Sequence, residues 1–148
     1  MGVERFSHLG LCISDLVPSR RFYCEGLGFR EASRLEVSGA EPEALLELGE
    51  VRLEAVYLER DGFVLELLHY RSPSVTGDRA PRAMNALGLT HLSLRVAGLD
   101  DVVARLVAAG GRVLESTRIH NPRLGASAIF VLDPDGTRIE LVESDALP

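Results

Sequence analysis

The sequence predicts an α+β fold of two tandem βαβββ modules. Together they would form a curved mixed sheet, with helices outside and a concave inner face. Three observations support this. Phe6-Ser7-His8-Leu9-Gly10-Leu11-Cys12-Ile13 is answered later by Leu89-Thr90-His91-Leu92-Ser93-Leu94-Arg95-Val96, with His-Leu-x-Leu in the same alternation. Gly62-Phe63-Val64-Leu65-Glu66-Leu67 is answered by Gly136-Thr137-Arg138-Ile139-Glu140-Leu141. An amphipathic helix and three strands fit between these ends in each half. An internal repeat of this kind sets the architecture before any single element is read.

The elements follow in order. The first strand ends near Ile13, and a helix starts near Asp15 with Pro18 in its first turn, where a missing N–H costs nothing. Phe22, Tyr23 and Leu27 give it apolar faces, and Gly26 and Gly28 mark its exit. Strands are expected over 30–37, 51–59 and 63–70, the last two joined by an Asp61-Gly62 hairpin turn. An insertion from Glu41 to Leu48 reads as a short surface helix opened by Pro42. In the second half a helix starts near Leu99-Asp100. Val102, Val103, Leu106 and Val107 recur at helical spacing, and Gly110-Gly111 stop it. Strands follow over 112–119, 126–132 and 137–143, with Asp133-Pro134-Asp135-Gly136 as a turn. The organisation is one domain over 1–148: a module of 4–71, a Pro-containing linker of 72–86, and a module of 87–144.

Composition narrows the function. At 148 residues and 46% hydrophobic the chain suits one globular domain. A net charge of -6 argues against nucleic acid as partner, since such proteins show a basic footprint. No apolar run is long enough for a membrane span and no secretory signal is visible, so a cytoplasmic location is expected. All 16 basic residues are arginine, which excludes lysine Schiff-base chemistry. Cys12 and Cys24 are too few for a disulfide scaffold and too far apart for a CxxC motif, and read as buried or partly buried thiols.

Strand alternation then singles out four residues. If Leu9, Leu11 and Ile13 pack on the helix, His8, Gly10 and Cys12 face the other way. By the same parity His91, Ser93 and Arg95 oppose Leu92 and Leu94. Glu66, Leu68 and Tyr70 oppose Leu65 and Leu67, and Arg138, Glu140 and Val142 oppose Ile139 and Leu141. His8, Glu66, His91 and Glu140 thus share the face away from the helices, in phase across both repeats. Two imidazoles and two carboxylates suit one divalent cation and leave positions open for water or substrate.

The βαβββ duplication, Ser19-Arg20-Arg21-Phe22-Tyr23 leading into Leu27-Gly28-Phe29, and the ending Asp133-Pro134-Asp135-Gly136-Thr137-Arg138-Ile139-Glu140-Leu141 resemble the vicinal oxygen chelate superfamily. The resemblance runs from Phe6 to Glu143. It implies metal ligands at His8, Glu66, His91 and Glu140, a set that looks most like bacterial glyoxalase I. Methylmalonyl-CoA epimerases commonly have Gln where Glu66 stands. The implied activity is that of a metal-dependent isomerase, lyase or epimerase. A base removes a proton next to a carbonyl, and one divalent metal (Zn, Ni, Co, Mn or Fe) stabilises the enolate. Glu140, with Glu66 beside it in rank, is the implied base. A thiol adduct or CoA thioester is a possible substrate, and a homodimer is implied. The 41–48 insertion is not a glyoxalase I feature, and no glutathione-binding set is matched.

Other residues rank lower. Arg95 and Arg138 could grip an anionic substrate group, or pair with an acid such as Glu54. Tyr57 and Tyr70 could line the cavity or fill core. Arg123 lies with His120 in the loop 119–125, where binding residues often sit. His69 falls on the opposite face from Glu66. Two alternatives stand beside the isomerase reading. An Fe(II) dioxygenase would want three ligands where four are found. A small-molecule-sequestering protein of the same fold would not retain the ligands.

Overall fold

The computed structural model describes residues 2–144. These fall into two compact units. The first takes the described residues up to Cys24 together with Gly28–Gly77, and the second takes Glu25–Leu27 together with those from Asp78 onward.

The first unit holds β1 (Leu9–Ile13), α1 (Leu16–Arg20), β2 (Arg30–Ser38), α2 (Ala40–Leu46), β3 (Arg52–Arg60) and β4 (Phe63–Ser72). Its four strands are ordered β1-β4-β3-β2, with β1 parallel to β4 and the other pairs antiparallel. The second unit repeats the plan with β5 (His91–Arg95), α3 (Leu99–Ala108), β6 (Arg112–Asn121), β7 (Ala126–Leu132) and β8 (Arg138–Ser144), ordered β5-β8-β7-β6. The βαβββ repeat read from the sequence is therefore present in both halves. The strands form two four-stranded mixed sheets in place of one continuous sheet. Each module pairs its own first strand with its own last, so the four strands satisfy one another within the module.

Local chemistry explains the ends of elements. Asp15 caps α1, its Oδ1 accepting from Val17 N–H at 2.9 Å. Past Arg20 the helix widens into a π-helical turn over Arg21–Gly26, a departure from the uniform α-helix that the sequence predicts. The wider turn accommodates two adjacent bulky aromatics, Phe22 and Tyr23, both fully buried and packed edge to face. The inserted helix α2 has Pro42 in its first turn as expected, and ends on Glu47 in the left-handed region. The β3–β4 hairpin turns through Asp61 (φ 52°) and Gly62 (φ 79°), the two positive values that a tight hairpin demands.

The core confirms the strand phase. Val56 and Leu58 of β3 stand opposite Leu67 and Leu65 of β4, and none of the four is exposed to solvent. In the second unit Ile129 and Val131 oppose Leu141 and Ile139 in the same way, under Val102, Val103 and Leu106 of α3. Val107, expected in that stripe, is 45% exposed. Burying each such side chain contributes about 1.5–3 kcal/mol, so a one-residue slip of register would forfeit the whole set. Glu66 and Glu140 are fixed on the opposite face by that penalty. Among the described residues no helix is long and apolar enough to cross a membrane.

Candidate metal centre

In the first unit the ladder places Glu66 between Gly10 of β1 and Tyr57 of β3. His8, one residue before β1, sets its Nε2 3.1 Å from Glu66 Oε2. The Tyr57 ring stands edge-on to the His8 ring, centroids 5.7 Å apart. Tyr57 stands opposite Glu66 in the ladder, and hydrogen bonding to that carboxylate, then burial and the carboxylate charge, push its phenol up to about 12.

The second unit repeats the design. Glu140 lies between Ser93 of β5 and Phe130 of β7. His91, the first residue of β5, has Nε2 3.5 Å from Glu140 Oε2. Phe130 is edge-on to His91 at 5.5 Å. Ser93 Oγ donates to Glu140 Oε2 at 2.7 Å.

The other ring nitrogen of each histidine is held as well. Ser7 Oγ lies 3.0 Å from His8 Nδ1, and Thr90 Oγ1 lies 2.9 Å from His91 Nδ1. A hydroxyl both donates and accepts, so it can serve either imidazole tautomer. It can therefore take the Nδ1 proton when Nε2 must offer a lone pair to a cation. The sequence displays a hydroxyl residue ahead of each repeat histidine, and only the folded contact gives that repeated position a role.

The donor chemistry fits a divalent ion. Two bonds of about 2.0–2.2 Å meeting at 90–110° put their ligand atoms roughly 2.8–3.6 Å apart. The His–Glu separations of 3.1 and 3.5 Å fall in that range. Each unit thus presents a half-site of one imidazole and one carboxylate. Their side chains are 12–38% exposed, enough to admit a ligand. Among the described residues no cluster of three or more His, Cys, Asp or Glu is gathered, so each half-site is a pair.

The remaining candidates divide. Arg138 is paired in register with His91, donates Nε to Arg82 O at 3.2 Å, and lays its guanidinium 5.6 Å over the Phe130 ring. Arg95 shares that face two residues beyond Ser93 and is exposed. Tyr70 lies on the Glu66 face, opposite Leu53, its phenol raised by burial and then by Cys12 and Glu66. Arg123 sits in the β6–β7 turn, its N–H bonded to Asn121 Oδ1. At about 3.3 Å per residue, the β7 stretch from Ala126 to Phe130 spans about 13 Å, which sets that turn away from the His91–Glu140 pair.

Three expectations need correction. Glu54 pairs with Arg34 (2.6 Å) and Arg71 (2.8 Å) and not with Arg95 or Arg138, because β2 and β4 flank it in the ladder. These arginines hold its carboxyl below the usual range against the opposing effect of burial, the Arg71 hydrogen bond contributing most. His120 belongs to β6, which runs to Asn121, and its Nδ1 is 2.9 Å from Ser127 Oγ across the ladder. Cys12 is exposed, since it shares the open face with His8 and Gly10, whereas Cys24 is partly buried. His69 lies beside Glu54 on the face opposite Glu66, as its parity requires, Nδ1 to Oε2 3.8 Å. A cleft of about 820 Å³ opens beside Glu36, Glu43, Glu54 and Arg71, and one of about 510 Å³ beside Asp100, Arg118 and His120. Neither is bordered by the His–Glu pairs, and both are open surface grooves.

The family model for the Glyoxalase/Bleomycin resistance protein/Dioxygenase superfamily matches residues 5–141. The chain belongs to this superfamily. The uncharacterised Bacillus subtilis protein YwkD is 30% identical over 145 residues, covering 97% of this chain and 99% of its own. A glyoxalase family protein from Bacillus cereus superposes with a TM-score of 0.84 at 20% identity, over 97% of this chain and 96% of that one. The Listeria monocytogenes fosfomycin resistance protein FosX, solved with Mn(II) and sulfate, superposes with a TM-score of 0.59 at 16% identity, over 97% and 94% of the two chains. At those identities the two superpositions establish the superfamily fold.

Proposed function

We propose that this superfamily member is a metal-dependent isomerase, lyase or epimerase of the glyoxalase type, acting on a carbon next to a carbonyl. The observation that supports it is the duplicated half-site. In both units a histidine has Nδ1 on a hydroxyl and Nε2 beside a glutamate, with an aromatic edge against the ring. A structural histidine has no need for the same four-part setting twice.

His8, Glu66, His91 and Glu140 are the proposed ligands. Two ligands in each unit make four, so one divalent ion per chain is proposed, with its further coordination positions left to water or substrate. Such an ion, when bound, supplies a Lewis acid for the carbonyl oxygen. Proton removal then falls to a carboxylate. Glu140 is the first choice, and Glu66 stands at its repeat-related position. The carboxylate takes the C–H proton on an Oε and returns it to the neighbouring carbon; for inversion at the same carbon a second acid, with Glu66 the repeat-related candidate, would deliver a proton to the other face while the first carboxylate keeps the one it removed. Arg138, held by Phe130 and the Arg82 carbonyl, is the proposed grip for an anionic substrate group. FosX was solved with Mn(II), which supports a divalent ion on this fold. The chain is proposed to act as a cytoplasmic homodimer.

Metal analysis of the purified protein tests this, with His8→Ala and Glu140→Ala beside it. About one divalent ion per chain is expected, lost in both variants. Thiol adducts of α-ketoaldehydes and CoA thioesters are then the substrates to screen. A protein that stays metal-free after reconstitution overturns the proposal.

A further inference from the structure

Two opposite charges share one face of β8 and do not meet. Arg138 and Glu140 stand two residues apart, about 7 Å along the strand, both on the face away from the core. Among the described residues they make no ion pair with each other, because each is engaged elsewhere. Ser93 Oγ donates to Glu140 Oε2 at 2.7 Å, and that same oxygen faces His91 Nε2. Arg138 gives Nε to the Arg82 carbonyl at 3.2 Å and lays its guanidinium against the Phe130 ring. Its Nη edge makes no hydrogen bond among the described residues.

We infer that Ser93, as a positioning residue, and the Arg82 carbonyl keep this pair apart, so that the Nη edge of Arg138 stays open to a carboxylate that the substrate carries close to its reacting carbonyl. The inference deepens the metal-dependent reading above and rests on it.

A hydrogen bond to a charged group is worth more than a solvated ion pair, so the Ser93 bond suffices to hold Glu140 off Arg138. Paired with each other, the two would lose both uses: the guanidinium would be neutralised and the carboxylate turned from His91. With Nε taken, the edge left on Arg138 is the pair of Nη groups, which matches the two oxygens of a carboxylate. Phe130 limits the size of the acid. The His91 ring meets it edge-on at 5.5 Å and the Arg138 guanidinium lies 5.6 Å from its centre. One aromatic ring thus lies between the imidazole and the anion grip, which suits a short acid and not the far end of a long arm. The first half lacks the device. Gly10 stands where Ser93 does, and Val64, two residues before Glu66, where Arg138 does. The hydroxyl and the guanidinium occur together in one half and are both missing from these positions in the other.

The test uses the Co(II)-loaded protein and two probes that chelate a divalent ion through the same hydroxamate group. Malonomonohydroxamate differs from acetohydroxamate by a carboxylate one carbon from the carbonyl. Affinities are read from the visible absorption bands of the bound ion, and their ratio is compared between variants. A general disturbance of the site moves both probes together and leaves the ratio alone. Wild type is expected to prefer the carboxylate probe by about tenfold or more, the size usual for hydrogen bonds between charged groups. Arg138→Gln should abolish the preference while affinity for acetohydroxamate stays within a few-fold. Ser93→Ala should abolish it as well, although the arginine is still present, because Glu140 then pairs with it. Ser93→Thr keeps the hydroxyl and should retain the preference. Equal affinity of wild type for both probes, or a preference that survives either Arg138→Gln or Ser93→Ala, overturns the inference and leaves the metal reading standing. A wild-type protein that takes up Co(II) no better than His8→Ala overturns the metal reading and the inference with it.

Discussion

Thr90 Oγ1 lies 2.9 Å from His91 Nδ1, the contact that Ser7 makes with His8 at 3.0 Å in the other half. Each hydroxyl belongs to the residue just before the histidine, so the contact is built into the strand entry and needs no distant partner. A ring held at Nδ1 cannot rotate its Nε2 away from the glutamate without breaking that bond. Thr90→Val keeps the shape and removes the hydroxyl. It is expected to weaken divalent-metal affinity about tenfold with little change in apo-protein stability. Equal affinity for wild type and Thr90→Val, measured by chelator competition, would show that the hydroxyl is incidental.

Glu54 is the clearest electrostatic feature remote from the half-sites. It is 6% exposed and held by Arg34 and Arg71. Removing that charge leaves two exposed arginines that water can solvate, so Glu54→Gln is expected to be destabilising by about 1 kcal/mol at neutral pH. The pH dependence has a definite sign. The folded carboxyl lies below its ordinary value, so its contribution is fully present above the unfolded value of about 4.3 and is lost as pH falls through the lower folded value. Urea unfolding at pH 7 and near pH 3 should therefore show the gap between wild type and Glu54→Gln narrowing in acid. A gap of constant size would mean that Glu54 acts through packing alone.

Much of this is legible in the chain itself. Two-residue alternation about Leu65-Glu66-Leu67 and Ile139-Glu140-Leu141 suffices to put both glutamates opposite the core, and the fully buried leucines and isoleucine bear that out. Asp61-Gly62 announces its hairpin because only a left-handed pair closes so tight a turn. What cannot be read depends on register between strands far apart in sequence. That Tyr57 adjoins Glu66, and Phe130 adjoins Glu140, follows from a ladder that no local pattern encodes. The π-helical turn at Arg21–Gly26 is likewise hidden, because it answers to where two adjacent aromatics find room. The hydroxyls of Ser7 and Thr90 are visible as a repeated position, and only their contact distance gives them a role.

Gly136 closes the turn before β8 with φ 92°, and a Cβ there would fall against the Arg79 backbone carbonyl. Asp133 is buried in the same turn, its Oδ1 accepting from Asp135 N–H (3.0 Å) and Thr137 N–H (2.7 Å). The turn therefore sets the start of the strand that carries Glu140. Gly136→Ala adds left-handed strain of about 1 kcal/mol to a contact that only backbone movement can relieve. A stability loss of about 2 kcal/mol or more is expected by chemical denaturation, with a weakened metal affinity alongside. Gly110→Ala is the comparison: φ there is 101° but a Cβ would meet nothing within 4 Å, so the strain alone should register. Equal losses at the two positions would count against the Arg79 contact.

Metal binding should also register as stability. An ion that binds only the folded chain at a concentration of about 100 times Kd adds about 2.7 kcal/mol. For a chain of this size that corresponds to a rise in Tm of roughly 5–10 °C. Titrating the apo protein with Zn(II), Ni(II), Co(II) or Mn(II) should raise Tm in this fashion, and excess chelator should reverse it. His8→Ala and Glu66→Ala remove ligands from the first half-site, His91→Ala and Glu140→Ala from the second. If one ion draws on both pairs, loss of any one of the four should abolish most of the shift. If each pair held its own ion, a single variant would lose only part of it, and metal content would approach two per chain. The graded outcome would overturn the shared-ion reading, while a flat Tm in wild type for every metal would overturn the metal site itself.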